Sequence, residues 1–339
     1  LRIFVMLQTS YSKAVGLIGL VITVMLLIYC SLAMGQTSIS FRAPWNVLTN
    51  YNPDNTEHLV IATSRLTRAL SALVVGMTLA VAGVLVQALT RNPLAAPDLI
   101  GVNAGAIFFI IVAITWLDIQ SLSSYMWFAF AGAAVAGVAV FLLSSVGRDG
   151  LTPIKIILAG TALSALFISF TQGLLVIDEQ TIQTVLFWIA GSIAGRDMSM
   201  LLPVLPILLI ALLLSLLLGK SMNVFSSGDD VAKSLGQNVG RLKLLMGLLI
   251  ILLAGGSVAI VGSIGFIGLI VPHIAKRIVG IDYRWSIPYG ALLGSCLLLA
   301  ADISARFIII PQEVPIGVMT ALIGGPFFIY LAKKGVFKQ

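Results

Sequence analysis

The feature that most restricts this sequence is a recurring apolar block close to the length needed to cross hydrocarbon. The first, Ala14–Met34, contains no charged residue, and about 20 apolar residues in a helix span the roughly 30 Å core of a bilayer. Further blocks run Leu66–Leu89, Asp98–Leu117, Tyr125–Val146, Ile154–Val176, Met198–Leu218, Leu244–Val261, Ile264–Ile278, Ile287–Ala305 and Ile316–Ala332. A large soluble core would deliver its apolar residues in shorter pieces broken by polar turns. Of the 339 residues, 59% are hydrophobic and only 10% charged, whereas soluble domains run near 25% charged. The mean hydropathy of +1.08 points the same way. Solid apolar blocks predict helices, because barrel strands would alternate apolar and polar residues. The expected fold is an all-α polytopic membrane protein of about ten transmembrane helices, with 1–339 as one transmembrane domain. The first block is long for a signal-peptide core, so it reads as a retained helix. The eighth block is short and interrupted by Gly265, Gly268 and Pro272.

The net charge of +7 would raise nucleic acid as a partner in a soluble domain. Here no basic patch is interleaved with aromatics, and the positive charges collect in connections between blocks. With the N-terminus inside, the inner connections carry Arg2, Lys13, Arg91, Arg148, Lys155, Lys220, Lys233, Arg241, Lys243, Lys276, Arg277, Arg284, Lys333, Lys334 and Lys338. The outer side carries Arg42, Arg65, Arg68, Arg196 and Arg306. This asymmetry predicts that both termini are cytoplasmic. Cys30 and Cys296 fall in apolar stretches and read as buried fillers.

Two connections are long. The outer stretch Gly35–His58 is too polar to span and predicts a short interfacial helix near Trp45. The inner stretch 221–243 contains Ser227–Gly228–Asp229–Asp230, which resembles a helix start where side-chain oxygens and acidic groups meet free N–H groups. Val231, Leu235 and Val239 then recur at four-residue spacing, and Gly236 and Gly240 read as breaks. One or two short amphipathic helices are expected there. No nucleotide cradle accompanies Gly219–Lys220–Ser221, which follows a leucine run rather than a glycine-rich loop. His58 and His273 lack a second ligand at metal-site spacing. Neither a catalytic constellation nor a bound cofactor is expected, so uphill movement would draw on an ion gradient or another subunit.

The ordered set Arg65–Leu66–Thr67–Arg68, Gly83, Gln87, Arg91–Asn92–Pro93–Leu94–Ala95, Pro97, Gly101, Gly105–Ala106, Leu158–Ala159–Gly160, Trp188, Gly191–Ser192, Ala232, Leu235–Gly236, Gly262–Ser263–Ile264–Gly265–Phe266–Ile267–Gly268 through Pro272–His273, Arg277, Gly280, Asp302, Arg306, Glu313–Val314–Pro315–Ile316–Gly317 and Gly324–Gly325–Pro326–Phe327 resembles the iron-siderophore and vitamin B12 ABC importer permeases. The resemblance covers nearly the whole chain. It implies a ten-helix permease in a bacterial cytoplasmic membrane, with an inverted repeat relating its second-to-fifth and seventh-to-tenth spans. It also implies a second identical or related permease, two cytoplasmic ATPase subunits that use ATP, and an extracytoplasmic binding protein. Ferric siderophore is the expected cargo, with cobalamin or haem as alternatives. An ion-coupled secondary transporter is the alternative mechanism.

By the same resemblance, Arg65, Arg68 and Arg306 would meet acidic residues of the binding protein. Thr67 stands where the family usually has proline. Asp229, Asp230, Ala232, Leu235 and Gly236 would form the coupling region that enters a groove of the ATPase. Asp302 lies one helical turn before Arg306 and predicts a salt link, because an unpaired carboxylate is costly in an apolar block. Glu313, Pro315 and Gly317 read as structural or gate-proximal, with Glu313 a partner for an outer arginine. Arg91, Asn92 and Pro93 mark an inner turn, and Pro272 and His273 a bend with a gating role. Gly160, Thr161 and Ser164 read as pore-side or helix-packing positions.

Overall fold

A computed structural model describes residues 6–147, 151–177 and 179–333; Arg2, Arg148, Lys334 and Lys338 lie outside the described residues. In chain order the helices are α1 (Ser10–Ala33), α2 (Ala43–Thr49), α3 (Thr56–Val60), α4 (Leu66–Thr90), α5 (Val102–Thr115), α6 (Leu122–Ser145), α7 (Pro153–Ile177), α8 (Glu179–Ala190), α9 (Met198–Leu217), α10 (Gly219–Phe225), α11 (Asp229–Ser234), α12 (Val239–Val261), α13 (Ile267–Val279), α14 (Tyr283–Ile308) and α15 (Ile316–Lys333). Each expected block corresponds to one of these. Among the described residues, seven helices are long and apolar enough to cross a membrane. The other three expected spans, α5, α13 and α15, are shorter.

Two of the short ones, α5 and α13, have identifiable causes. Gly101, at φ +76°, separates the 3₁₀ turn Pro97–Ile100 from α5, so the block 98–117 is split. Between α12 and α13 the chain leaves the helix at Gly262 and turns through Phe266 at φ +69°. Irregular backbone at membrane depth survives only where the protein itself supplies hydrogen-bond partners. Here Ser263 N donates to the Trp188 carbonyl at 2.9 Å, and Ser192 N donates to the Val261 carbonyl at 2.8 Å. The segment after α8 therefore docks on the break. Helix α8 itself is absent from the sequence reading, being only twelve residues long. Helix α12 starts five residues earlier than expected, at Val239, because the Asn238 side chain accepts the Arg241 N–H at 3.0 Å. Gly240 consequently lies inside a helix and is not a break.

The centre of the bundle is α4 with α12. Their most apolar stretches are 83% and 78% buried, against 11% for α1 and 17% for α7. Helices in lipid associate through close packing and interhelical hydrogen bonds, so small residues mark the tight contacts. A Cβ on Gly83 would collide with the Gly268 carbonyl of α13, and one on Gly76 with that of Gly294 in α14. Thr78 of α4 and Ser257 of α12 share a buried hydrogen bond of 2.6 Å. The predicted interfacial helix near Trp45 is α2, whose Trp45 side chain is exposed.

Candidate functional site

Three arginines converge at the expected outer end, and the structure divides their work. Helix α1 ends at Ala33, with Met34 as its cap, leaving four carbonyls without helical partners. Arg65 Nη1 donates to the carbonyls of Leu32 at 2.9 Å and Ala33 at 2.8 Å, and Nη2 donates to that of Thr37 at 2.6 Å. Arg306 Nη1 donates to the carbonyls of Ser31 and Met34, both at 2.7 Å. Two buried guanidinium groups thus satisfy all four carbonyls, and positive charge is favourable at this end of the helix dipole. Arg65 and Arg306 are 5% and 2% exposed. Their charges face the protein, whereas the sequence reading aimed them outward.

Arg68 links the set to two acids. Its Nε donates to Asp302 Oδ1 at 2.7 Å and its Nη1 to Glu313 Oε2 at 2.5 Å. Asp302, fully buried, also pairs with Arg306 one turn along α14. The expected Asp302–Arg306 link and a Glu313–arginine pair are both present. Arg306 Nε is buried and lacks a partner among the described residues. The helix leading into Arg68 contains a π-wound turn, Ile61–Arg65, between α3 and α4; such turns recur at functional sites. It brings Thr63 and Ser64 to the wall of a polar pocket shared with Arg68, Ile193 and Arg196. Arg196, from the loop between α8 and α9, lies over the Trp188 ring at 4.1 Å from its centroid. Burial pushes the Arg196 pKa down to about 10, which leaves it charged at neutral pH.

At the opposite end, α10 and α11 form the two short helices expected from 221–243. Gly228, at φ +118°, precedes α11, and no side chain caps it; the expected Ser or Asp cap is not made. Asp229 instead pairs with Arg91 at 2.5 Å and Lys243 at 2.7 Å. Burial pushes the Asp229 carboxyl up, but the hydrogen bonds and charges of Lys243 and Arg91 outweigh it and hold its pKa below the ordinary value. Arg91 adopts a left-handed backbone at the end of α4, Asn92 Oδ1 accepts from Leu94 N at 2.9 Å, and exposed Pro93 completes the turn. Arg91 also donates to the Phe225 carbonyl at 3.1 Å and lies over its ring.

The turn after α11 closes by two bonds, Gln237 N to the Ala232 carbonyl and Gly236 N to the Lys233 carbonyl, both 2.9 Å. This pattern needs a left-handed residue at its centre, and Gly236 supplies it at φ +80°. Ala232 is buried, while Val231 and Leu235 are 46% and 69% exposed. Val239 is buried, so the predicted Val231–Leu235–Val239 face divides: two members are free at the surface and one packs inward. Asp230 is fully exposed, with Lys233 at 3.8 Å. Asn223 anchors α10 by donating to Asp282 Oδ1 at 2.6 Å and accepting from Tyr283 N at 2.8 Å. Arg284 and the Asn223 bond hold the Asp282 carboxyl at about 2 despite burial.

Between the ends, Gly160 packs against the Leu99 carbonyl with no room for a Cβ, the packing alternative for that position. Thr161 is exposed, and Ser164 lies beside Gly101. Gly317 presses on the Ala190 carbonyl and donates its N–H to that of Gly191 at 3.2 Å, placing Pro315 and the start of α15 against the loop after α8. Pro272 is buried and His273 half-buried within α13. Asp98 accepts from Asn103 at 2.6 Å, and Asn103 donates to Ser263 at 3.1 Å. Sequence reasoning missed this cluster and the Asn223–Asp282 anchor, because each joins distant segments, and the Arg196–Trp188 stack, because it depends on how the loop after α8 folds back. Among the described residues, no three His, Cys, Asp or Glu side chains gather as metal ligands.

Residues 20–334 match the FecCD transport family. The Bacillus subtilis protein named "Probable siderophore transport system permease protein YfiZ" is 48% identical over 97% of this chain and 98% of its own length. The Fe(3+)-citrate import system permease protein YfmD of the same organism is 42% identical, over 90% of each chain. A solved structure of an ABC transporter assigned to the metal-chelate type, in an inward-facing conformation, superposes with a TM-score of 0.83 at 33% identity. The match covers 94% of this chain and 98% of that one.

Proposed function

This chain belongs to the FecCD transport family, and on that premise we propose that it is the permease of an ABC importer that carries a ferric siderophore inward. The observation that best supports a coupled subunit is the inner end. Leu235 and Val231 stand exposed on a short helix whose base is fixed by Asp229 to Arg91 and Lys243. An apolar knob on an ion-paired base suits a groove in an ATPase, and closure of the ATP-bound pair would pull on α4 through Arg91 and on α12 through Lys243. In this reading the chain catalyses no reaction and binds no cofactor; ATP is consumed by its partners. Both termini face the cytoplasm, and a second permease, identical or related, completes the path.

At the outer end we assign direct contact with the binding protein to Arg68, the least buried of the three arginines. Arg65 and Arg306 hold α1 and the mouth in shape beneath it. Charge pairs at such a contact chiefly set encounter rate and orientation. The test is uptake of labelled ferric siderophores, cobalamin and haem by cells with and without this permease, with companion subunits present. Selective loss of a ferric-siderophore signal supports the cargo; loss of cobalamin or haem uptake alone overturns it. Flux that follows an ion gradient without an ATPase would replace the mechanism.

A further inference from the structure

Arg196 differs from its neighbours at the outer end. Arg65 is occupied by carbonyls, Arg306 by carbonyls and Asp302, and Arg68 by two carboxylates. Arg196 is only 7% exposed, yet it has no carboxylate partner among the described residues. Its contacts are a 3.3 Å bond from Nε to the Ser192 carbonyl and the Trp188 ring. The terminal nitrogens make no hydrogen bond to the described residues. Adjacent Asp197 lines the same pocket, is exposed, and forms no ion pair among the described residues. A guanidinium this buried, with no ion pair among the described residues, gains from a ligand that arrives with the opposite charge. The same polar pocket is walled by Arg68 and by Thr63 and Ser64, which the π-wound turn leaves exposed. Ile193, Gly195 and Asp197 complete the lining, which thus offers a planar fork of donors and two hydroxyls beside one carboxylate.

We propose that this pocket is a carboxylate-accepting subsite at the outer mouth, in which Arg196, steadied by Trp188, receives a free carboxylate of the arriving ferric chelate. A guanidinium fork matches a carboxylate in two parallel bonds, so the subsite favours carboxylate-bearing chelates over uncharged ones. The proposal rests on the import reading above, which is measured separately as ATP-driven uptake by the wild-type complex. If that uptake fails while the subsite still binds its probe, the import reading falls and the subsite stands.

The experiment is calorimetric titration of citrate into the permease–ATPase complex in nanodiscs, with trimethyl citrate as the uncharged control. Citrate is expected to bind saturably and trimethyl citrate not at all. Arg196→Gln should weaken citrate binding about 10-fold or more, as loss of a charge-assisted hydrogen bond implies, and Arg196→Lys by less. Thr63→Trp, which fills the pocket from its exposed rim, should also block citrate and serves if Arg196→Gln does not fold. Equal citrate binding by wild type and folded variants overturns the proposal. So does an absence of citrate binding combined with weaker docking of the binding protein to Arg196→Gln, which would make the carboxylate the partner protein's.

Discussion

Replacing Asp302 by asparagine keeps the shape of the arginine network and removes its central charge. Asp302 is completely buried and bridges Arg68 and Arg306. Breaking a buried ion pair from one side costs about 3–5 kcal/mol, because the partner charge stays behind. Two features place the expected loss near the lower limit. Arg68 retains Glu313, and Arg306 retains the Ser31 and Met34 carbonyls. About 3 kcal/mol is therefore expected, more than a hundredfold in the folding equilibrium, measured by unfolding in mixed micelles. A second variant, Asp302→Leu with Arg306→Met, removes both charges of one pair. Its loss should be at least about 1.5 kcal/mol smaller than the sum of its single substitutions. It should not reach wild-type stability, since the end of α1 would lose two hydrogen-bond donors. An Asp302→Asn protein within about 0.5 kcal/mol of wild type, the range of an ordinary surface change, would refute the network as a source of stability.

Leu235→Asp should leave the protein folded, because the side chain is exposed, while abolishing transport and stimulation of ATP hydrolysis in the reconstituted complex. Gly236→Ala should cost about 1–2 kcal/mol through its left-handed backbone, read as lower thermal stability with part of the coupling retained. Gly83→Leu should prevent correct packing of α4 on α13, since its first carbon would meet backbone rather than a movable side chain; the readout is loss of monodisperse protein in detergent. The Asp282 carboxyl titrates at about 2 in the fold against 3.8 ordinarily. Its stabilising contribution is therefore present above pH 4 and lost as pH falls from about 4 to 2. The difference in thermal midpoint between wild type and Asp282→Asn should shrink across that window and stay constant above it.

Features carried by a continuous stretch of chain were legible in the sequence. Apolar blocks the length of a bilayer marked the long helices, and the one-turn spacing of Asp302 and Arg306 announced their pair. Gly236 was readable as a turn because glycine permits a break where the apolar face ends at Leu235. What escaped depends on contacts between distant segments. Hydropathy does not report a twelve-residue α8 whose role is to dock Trp188 and Gly191 on the α12–α13 break. The outer arginines show the same limit: sequence placed them at helix ends, but only the fold shows that the open end of α1 lies beside two of them. Gly240 was misread because a glycine preceding an apolar run says nothing of the Asn238 cap that already starts the helix.

The clasp at the end of α1 has a mechanical counterpart. Near the other end of that helix, the Tyr289 hydroxyl of α14 donates to the Lys13 carbonyl at 2.6 Å, while Arg306 of α14 holds the Ser31 carbonyl. The two anchor points are eighteen steps apart on α1 and seventeen on α14, about 27 and 26 Å at the helical rise. Parallel members of nearly equal length, pinned at both ends, behave as a truss: neither slides nor rotates without releasing a pin. One residue inserted midway along α1 would turn one pin by about 100° and shift it by about 1.5 Å.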